Sequence, residues 1–565
     1  MDKTWWKHSV GYQIYPRSFY DSNGDGVGDL KGIITKLDYI KDLGVNLIWI
    51  GPFYKSPMDD NGYDVSDFYD VDPLFGTLDD AKNLIAEAHQ RGIKIILDLV
   101  LNHTSDEHPW FMESRSSLKN PKRDFYIWQD GKKDAHGKLH PPTNWGSFFE
   151  GSAWNLDPFT NQYYMKIFSD KMPDLNWASP ALREEMFKMA SWWLDQGVDG
   201  FRVDAIAHLA RDLTFTDSTM PLNQYHVAPD WGKFSNRDEL YDYLKEFNEK
   251  VLSHYDCMSV GEVGGGASVD AGVKYAGYDA NIFNMVFNFD TCWQNNIFSN
   301  DELKDEDIKI NVLNMKLTFD KWIQGMKGKG WMPHYWLNHD HPRVMSQYGD
   351  PIHHHKASGS MLGTILLTLP GTPFIYNGEE IGMTNVDYTS IDDFTDIWVK
   401  NYAKQAIKHM SKDQILSHLR RTSRNNARTP MQWDDSAYAG FSTHLPHQKM
   451  VSNYPLINVK RQLTEEDSIL NAYKTLIRLR LQSHYSETLI FGDFELIHPK
   501  DPNVFAYMRS DEQMKLMIVC NFSKEVQEFV LPLAYKHVVY SNSKNAHTHK
   551  TLHLQPYEAL ILEAK

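Results

Sequence analysis

At 565 residues the chain is too long for one ordinary domain, so a large domain with additions is the starting expectation. A formal net charge of −16 argues against nucleic acid or an anionic membrane as partner, because both are polyanions. No run of about 18 or more apolar residues occurs, which excludes a spanning helix. The three cysteines, Cys257, Cys292 and Cys520, are an odd and sparse set that gives no disulfide framework and agrees with a reducing compartment. The stretch Met1 to Lys7 lacks the apolar core and small-residue cleavage site of a secretory signal, so a cytoplasmic monomer is expected.

Val10 to Tyr15 reads as a first strand ending at Pro16. The loop Asp21-Ser-Asn-Gly-Asp-Gly-Val-Gly-Asp29 follows, with oxygen-bearing side chains at every second position around a glycine. Asp21, Asn23, Asp25, the Val27 carbonyl and Asp29 would form an oxygen cage for a hard divalent cation, as in calcium loops. Gly32 stands where such a loop carries its bidentate glutamate, so the expected ion is calcium held weakly, or magnesium with several waters. Leu30 to Leu43 has helical spacing and ends at Gly44, leading to a second strand, Val45 to Ile50. Asp60-Asn-Gly-Tyr-Asp64 lies on the loop beyond it. A helix from Leu78 to Arg91 precedes the third strand, Ile93 to Asp98, and then His103.

From Thr104 to about Pro173 the alternation fails in favour of Trp, Gly, Pro and Asn, and a stretch of that length inside a regular fold predicts a small domain. An amphipathic helix from Ala181 to Gln196 leads into Gly197-Val-Asp-Gly-Phe-Arg-Val-Asp-Ala-Ile-Ala-His208. Here small and apolar residues alternate with Arg202 and Asp204, a brief buried strand whose two charges share one face and can stabilise each other. Glu262 ends a further apolar run from Cys257, after a helix from Arg237 to Leu252, and Asp340 ends another from His334. Ile282 to Phe289, Tyr335 to Asn338 and Pro373 to Glu380 read as strands six to eight. Three carboxylates at the C-terminal ends of separate short strands are what a parallel barrel with its active site at that end presents.

Three consecutive histidines, His353 to His355, cannot all point one way, and no zinc site is assigned to them. Asp387 to Arg421 is polar and helix-prone, and it ends in Ser423-Arg-Asn-Asn-Ala-Arg-Thr-Pro-Met-Gln-Trp433. The helix Asp467 to Gln482 closes the barrel, and the alternating stretches beyond it, such as Val504 to Met508 and Lys515 to Cys520, read as an antiparallel sandwich.

The segments DLVLNH (Asp98 to His103), GFRVDAIAH, SVGEV and LNHDHPR resemble, in order and spacing, the four sequence blocks of the α-amylase-type glycoside hydrolases (family 13). Within them the chain most resembles the intracellular exo-acting α-glucosidases of the oligo-1,6-glucosidase-like group, and the resemblance covers nearly the whole chain. It implies an α/β fold: a (β/α)8 TIM barrel (1–103 and 174–482), an inserted subdomain after strand three (104–173) and a C-terminal antiparallel β-sandwich (483–565). It implies Asp204 as nucleophile, Glu262 as acid and base, and Asp340 as the group that grips ring hydroxyls. The same sugar would be held by Tyr63, Asp64, His103, Phe168, Arg202, His339 and Arg424, with Arg428 as neighbour or substitute. Aromatics at 13%, with 17 Trp and 29 Tyr, would supply stacking faces for sugars as well as core.

The expected substrate is a disaccharide or short oligosaccharide with an α-linked terminal glucose. Ala205, directly after the nucleophile, stands where the resemblance puts Val in α-1,6-restricted enzymes and Ala or Thr in α-1,4-acting ones. Maltose-type bonds or sucrose are therefore expected, with α-1,6 activity reduced or shared. Sucrose isomerase or transglucosidase and trehalose-6-phosphate hydrolase are alternatives on the same scaffold. A transporter heavy chain, non-enzymatic and built on this barrel, would carry a membrane span and lack the acids.

Overall fold

The computed structural model describes residues 4–264, 266–545, 547 and 550–565. Its centre is one parallel sheet of eight short strands: β1 (Gly11–Ile14), β2 (Leu47–Ile50), β3 (Lys94–Val100), β4 (Gly200–Asp204), β5 (Met258–Gly264), β6 (Met285–Asn288), β7 (Pro333–Tyr335) and β8 (Thr372–Tyr376). They are hydrogen-bonded in the order β6-β5-β4-β3-β2-β1-β8-β7, and β6 comes against β7, so the sheet is a near-closed barrel. The strands are buried on both faces, which is why they read as near-continuous apolar runs rather than alternating ones. Leu47, Trp49, Ile96, Met258, Val260, Phe287 and Phe374 fill the barrel, while the helices cover the outside. At the foot of β4, Gly200 has φ +143°, and a Cβ there would stand 1.9 Å from the Met258 carbonyl oxygen, so only glycine lets β4 start so close to β5.

Several boundaries differ from the sequence reading: the sixth strand begins at Met285 rather than Ile282 and the eighth ends at Tyr376 rather than Glu380. The single helix expected over 30–43 is two, Leu30–Thr35 and Leu37–Leu43, broken at Lys36. The break lays the Lys36 ammonium over the rings of Tyr20 and Trp433, at 4.1 and 4.3 Å, and brings the Tyr39 hydroxyl 2.7 Å from Glu380. The seventh strand is Pro333–Tyr335, not 335–338. Beyond it Asn338 accepts from the Asp340 N–H at 2.8 Å, so Asp340 stands on a tight turn rather than at a strand end.

Beyond β3 the short strands Trp128–Gln129, Gln162–Met165 and Trp154–Asp157 form a small antiparallel sheet around Trp145, Trp154 and Tyr163. The excursion after β4 packs onto it: Phe234 joins that core and the Trp145 Nε1–H donates to the Thr216 carbonyl at 2.9 Å. The lobe beside the barrel mouth is thus built from two separate chain segments.

At the C-terminus β9 (Asp493–Ile497), β10 (Val504–Ser510), β11 (Lys515–Asn521), β12 (Tyr535–Ser541) and β13 (Ala559–Ala564) form an antiparallel sheet in the order β9-β10-β11-β13-β12. The ladder Gln527–Val530 with Thr551–Leu554 covers one face of it. The other face, with Phe505, Tyr507 and Ile518, joins the barrel core. Buried cations bonded to backbone carbonyls fasten this joint. Arg509 donates to Thr368, Leu489 and Gly492 at 2.5, 2.6 and 2.7 Å, and Lys316 donates to His498, Asp501 and Val504 at 3.2, 2.5 and 3.1 Å. No helix of the described residues is long and apolar enough to cross a membrane.

Replacing Lys316 by Met keeps the stem but leaves three carbonyls short of a donor, each worth about 1–3 kcal/mol. The expected result is a lower urea midpoint and a loss of about 3 kcal/mol or more, with activity per folded molecule intact. An unchanged midpoint would show that the lysine does not fasten the joint.

Candidate active site

The site is built on Arg202, wholly buried in the middle of β4. The register pairs it with Asp98 of β3 and Val260 of β5, so its side chain lies among groups from three strands. Its Nη1 donates to Asp98 Oδ1 at 2.5 Å and to Asp204 Oδ1 at 2.7 Å, while its Nη2 lies 2.8 Å from Glu262 Oε2. The two residues expected to do the chemistry therefore hang on neighbouring nitrogens of one planar group. Asp98 is held in turn by Trp49 Nε1–H and the Tyr63 hydroxyl, each at 3.0 Å.

One guanidinium cannot neutralise three carboxylates. Burial first, and then the charges of Glu262, Asp98 and Asp340, raise the Asp204 carboxyl well above the usual range, with Arg202 opposing. For a nucleophile, this raises the pH at which the attacking carboxylate forms. A pair of adjacent carboxyls in different environments can supply an acid and an anion together.

Ala205 follows Asp204 in the left-handed region, with φ 46° and ψ 36°. That turn points its N–H at Glu262 Oε2, 3.1 Å away, giving the second carboxylate another fixed donor. A non-glycine residue in this conformation beside reactive groups is strain stored at a functional site.

A second charge cluster is built from the loops beyond β2, β7 and β8. Arg424 bonds Asp396 at 2.7 Å, Asp340 at 3.1 Å and Asp60 at 2.6 Å. Arg428 bonds Asp340 at 2.7 Å and Asp396 at 3.0 Å, and its Nε–H donates to the His339 carbonyl at 3.0 Å. Burial works against the ionised form of Asp340, but His339 and the two guanidiniums hold its carboxyl well below the usual range. His339 is stacked between Tyr63 and Tyr15, with ring centroids 5.2 and 5.8 Å away. His103 is buried, and burial lowers it to about 3, so it stands as a neutral imidazole. Phe168 packs edge-on against it at 5.3 Å.

Asp204, Glu262, Arg202, Asp340, His339, Tyr63, His103, Phe168 and Arg424 thus line one region at the C-terminal end of the barrel. Asp64 is placed differently. Its carboxylate accepts from the Ser56 hydroxyl and the N–H groups of Asp59 and Asp60, at 2.9, 2.8 and 3.0 Å, and it shapes its own loop. The acid of that loop that meets Arg424 is Asp60, which the sequence reading did not pick out of a segment with acids at both ends. Asp396 was also missed, since nothing in its polar surroundings marks it; its partners come from tertiary structure alone. Asn102, Asp174 and Arg211 form a further buried set behind His103, with Arg211 Nη2 2.8 Å from Asn102 Oδ1 and 3.1 Å from Asp174 Oδ2.

The Asp21 to Asp29 loop lies apart from this region, clamped against residues 441–447. Asp21 accepts from the N–H groups of Asn23, Gly24 and Gly26 and from the Ser442 hydroxyl, at 3.1, 2.7, 2.8 and 2.6 Å. Burial opposes this carboxylate, but those donors hold it below the usual range. The donor types suit a hard cation, all of them oxygens. Among the described residues no three acidic, His or Cys side chains converge on one point in this conformation.

An eight-stranded parallel barrel carrying two adjacent carboxyls on one guanidinium at the C-terminal end of its strands, with further polar and aromatic groups around them, defines a glycoside hydrolase. Residues 13–488 match the alpha amylase catalytic domain and residues 504–561 the alpha-amylase SusG C-terminal domain, so the chain belongs to the α-amylase family. It is 43% identical to an oligo-1,6-glucosidase of Parageobacillus thermoglucosidasius over 100% of both chains. Among solved structures it is similar to trehalose-6-phosphate hydrolase of Bacillus licheniformis, with TM-score 0.91, 38% identity, and 99% of this chain and 100% of that one covered. It is also similar to isomaltulose synthase of Klebsiella sp. LX3, with TM-score 0.92, 37% identity and 99% of each chain covered.

Two substitutions separate the roles of the pair. Asp204→Asn is expected to abolish turnover with the fold intact by circular dichroism. Glu262→Gln should slow natural sugars by about 10²–10⁴-fold yet spare substrates with very good leaving groups, which need no proton. Equal slowing on both substrate kinds would remove Glu262 as the acid. Because burial and the neighbouring carboxylates raise the Asp204 carboxyl, its attacking ionised form is lost as pH falls through that raised value, so activity should decline on the acid side at a higher pH than for an ordinary carboxylate.

Proposed function

We propose that this protein is an exo-acting α-glucosidase that releases terminal glucose from short α-glucosides by double displacement with retention. The observation that carries the reading is Arg202 holding both reactive carboxylates on adjacent nitrogens. Retaining enzymes keep their carboxyls about 5–5.5 Å apart, against roughly 6.5–9.5 Å where a water must fit between them. Glu262 gives its proton to the leaving oxygen while Asp204 attacks the anomeric carbon. Glu262, now ionised, then takes a proton from the water that frees the glucose. Asp340, ionised beside two guanidiniums, grips ring hydroxyls with His103 and His339. The Arg424–Asp60 pair stands across the far end of the pocket, which favours cleavage from a chain end.

Linkage is read from the residue next to the nucleophile. Ala205 is small and lies against Glu262, leaving room for an α-1,4-linked aglycone, whereas the name of the Parageobacillus relative favours α-1,6 bonds. The family likeness to an isomaltulose synthase and a trehalose-6-phosphate hydrolase keeps transfer to a sugar, and phosphorylated trehalose, as outcomes of the test. That test is a panel of maltose, isomaltose, sucrose, trehalose and trehalose 6-phosphate with products resolved by chromatography. Glucose from maltose or isomaltose supports the reading. Exclusive turnover of trehalose 6-phosphate, or a rearranged disaccharide from sucrose, would replace it.

Ala205→Val should move the ratio of specificity constants toward isomaltose by about ten- to two-hundredfold, the worth of a methyl-scale change. It should also cost stability, because a β-branched residue in the left-handed region is an outlier. A ratio moving toward maltose would place linkage choice in the cleft loops.

The reading extends to a stabilising cation, calcium or magnesium, on Asp21, Asn23, Asp25, the Val27 carbonyl and Asp29, supplying only a pin for the loop behind β1. Millimolar calcium should raise the melting temperature of the wild type by mass action and leave Asp21→Asn unmoved. No shift in the wild type would remove the ion. The odd and sparse set of three cysteines supports a cytoplasmic enzyme, and a monomer should elute near 65.5 kDa.

A further inference from the structure

From the Arg424 wall a line of contacts runs outward over the cleft. The Phe149 ring lies 5.2 Å from the Arg424 guanidinium, and the Phe149 carbonyl accepts from Asn401 at 3.4 Å. Asn401 belongs to the helix Ile397–Ala406, which the helix Lys412–Thr422 accompanies; both are part of the polar insertion after β8. The next residue, Tyr402, is held on both faces of its ring, by Trp398 at 5.6 Å with 22° between planes and by the buried His418 at 5.1 Å with 29°. So fixed, its hydroxyl donates to Asp301 Oδ2 at 2.8 Å, while His418 Nε2 lies 3.8 Å from Asp301 Oδ1. Asp301 comes from a different place, the long loop that leaves the C-terminal end of β6 and returns through the bridge between Asn295 and Ile310.

We propose that Asp301 and Tyr402 form a clasp that ties the loop after β6 to the insertion after β8 and sets how long a sugar the mouth accepts. Two features support this. The tyrosine is stacked on by two rings and its hydroxyl reaches a half-exposed carboxylate, with Met410 Sδ 3.6 Å away, an arrangement that serves position rather than burial. The clasp also connects, through Asn401 and Phe149, to Arg424 of the site rather than to a remote surface. Tyr225 bonds Glu150, the neighbour of Phe149, beside the same clasp, within reach of the Asp301 charge. With these ties closed, a disaccharide has room, while each further unit of a longer chain must displace the loop that Asp301 holds. The clasp acts by position and touches no reacting atom.

This inference rests on the exo-acting reading, and the test separates the two. Tyr402→Phe keeps the stacked ring and removes only the hydroxyl. It should leave the specificity constant for p-nitrophenyl α-glucoside within about twofold and raise that for tetra- and pentasaccharides by about five- to tenfold, through KM rather than kcat. Hydrogen exchange over residues 297–311 should quicken in the same variant, a readout that needs no substrate. Asp301→Ala should reproduce both effects, and the double variant should add nothing to either single one. Unchanged chain-length preference together with unchanged exchange would overturn the clasp. If the wild type fails to cleave any α-glucoside from its end, the activity reading falls, and the exchange data still decide whether the two loops are tied.

Discussion

The structure depends on one buried guanidinium. Arg202 sits in the middle of a central strand with no water to solvate it, a placement that is costly unless acids surround it. Asp98, Asp204 and Glu262 answer that demand from three neighbouring strands, and in doing so they become the site. Burial and their excess negative charge raise the Asp204 carboxyl. Removing Arg202 would leave three carboxyls with no cation among them, so structure and reactivity rest on the same contact. The second cluster repeats the logic with two arginines against Asp60, Asp340 and Asp396, and there two cations suffice to keep Asp340 ionised.

Much of this was legible in the sequence because short-range pattern and long-range function coincide there. β2, β3, β4 and β8 are apolar runs bounded by turn residues, and Arg202 and Asp204 share a face by the two-residue period of a strand. The acids showed themselves as charges at the ends of apolar runs, where a burial cost demands a reason. The seventh strand was misplaced because Tyr335 to Asn338 stays apolar after the hydrogen bonding has ended. Trp336 and Leu337 are buried there by side-chain packing, not by the sheet, and pattern alone does not separate the two.

Residues chosen by tertiary contact were harder to see. Asp60 and Asp64 are equivalent in a linear reading, and only the folded loop shows one carboxylate absorbed by Ser56 and two backbone N–H groups and the other left for Arg424. Asp396 lies in a segment whose composition says no more than exposed helix, and its value comes from meeting two arginines some thirty residues away. The break at Lys36 likewise follows from the rings of Tyr20 and Trp433 outside that helix, the second of them about four hundred residues on. The lobe beside the mouth could not be bounded from composition, because its core borrows Phe234 from a distant excursion.

The wall of Arg424 and Asp60 has a consequence for the order of events. A pocket shut at its inner end is a cul-de-sac, and whatever occupies its depth must leave by the opening through which it came. The aglycone fills that opening during the first half of the reaction, so it departs first and water arrives by the path it vacates. Glucose departs last. Free glucose competes for the deepest position, and any sugar that takes the glycosyl group in place of water must already stand in that opening.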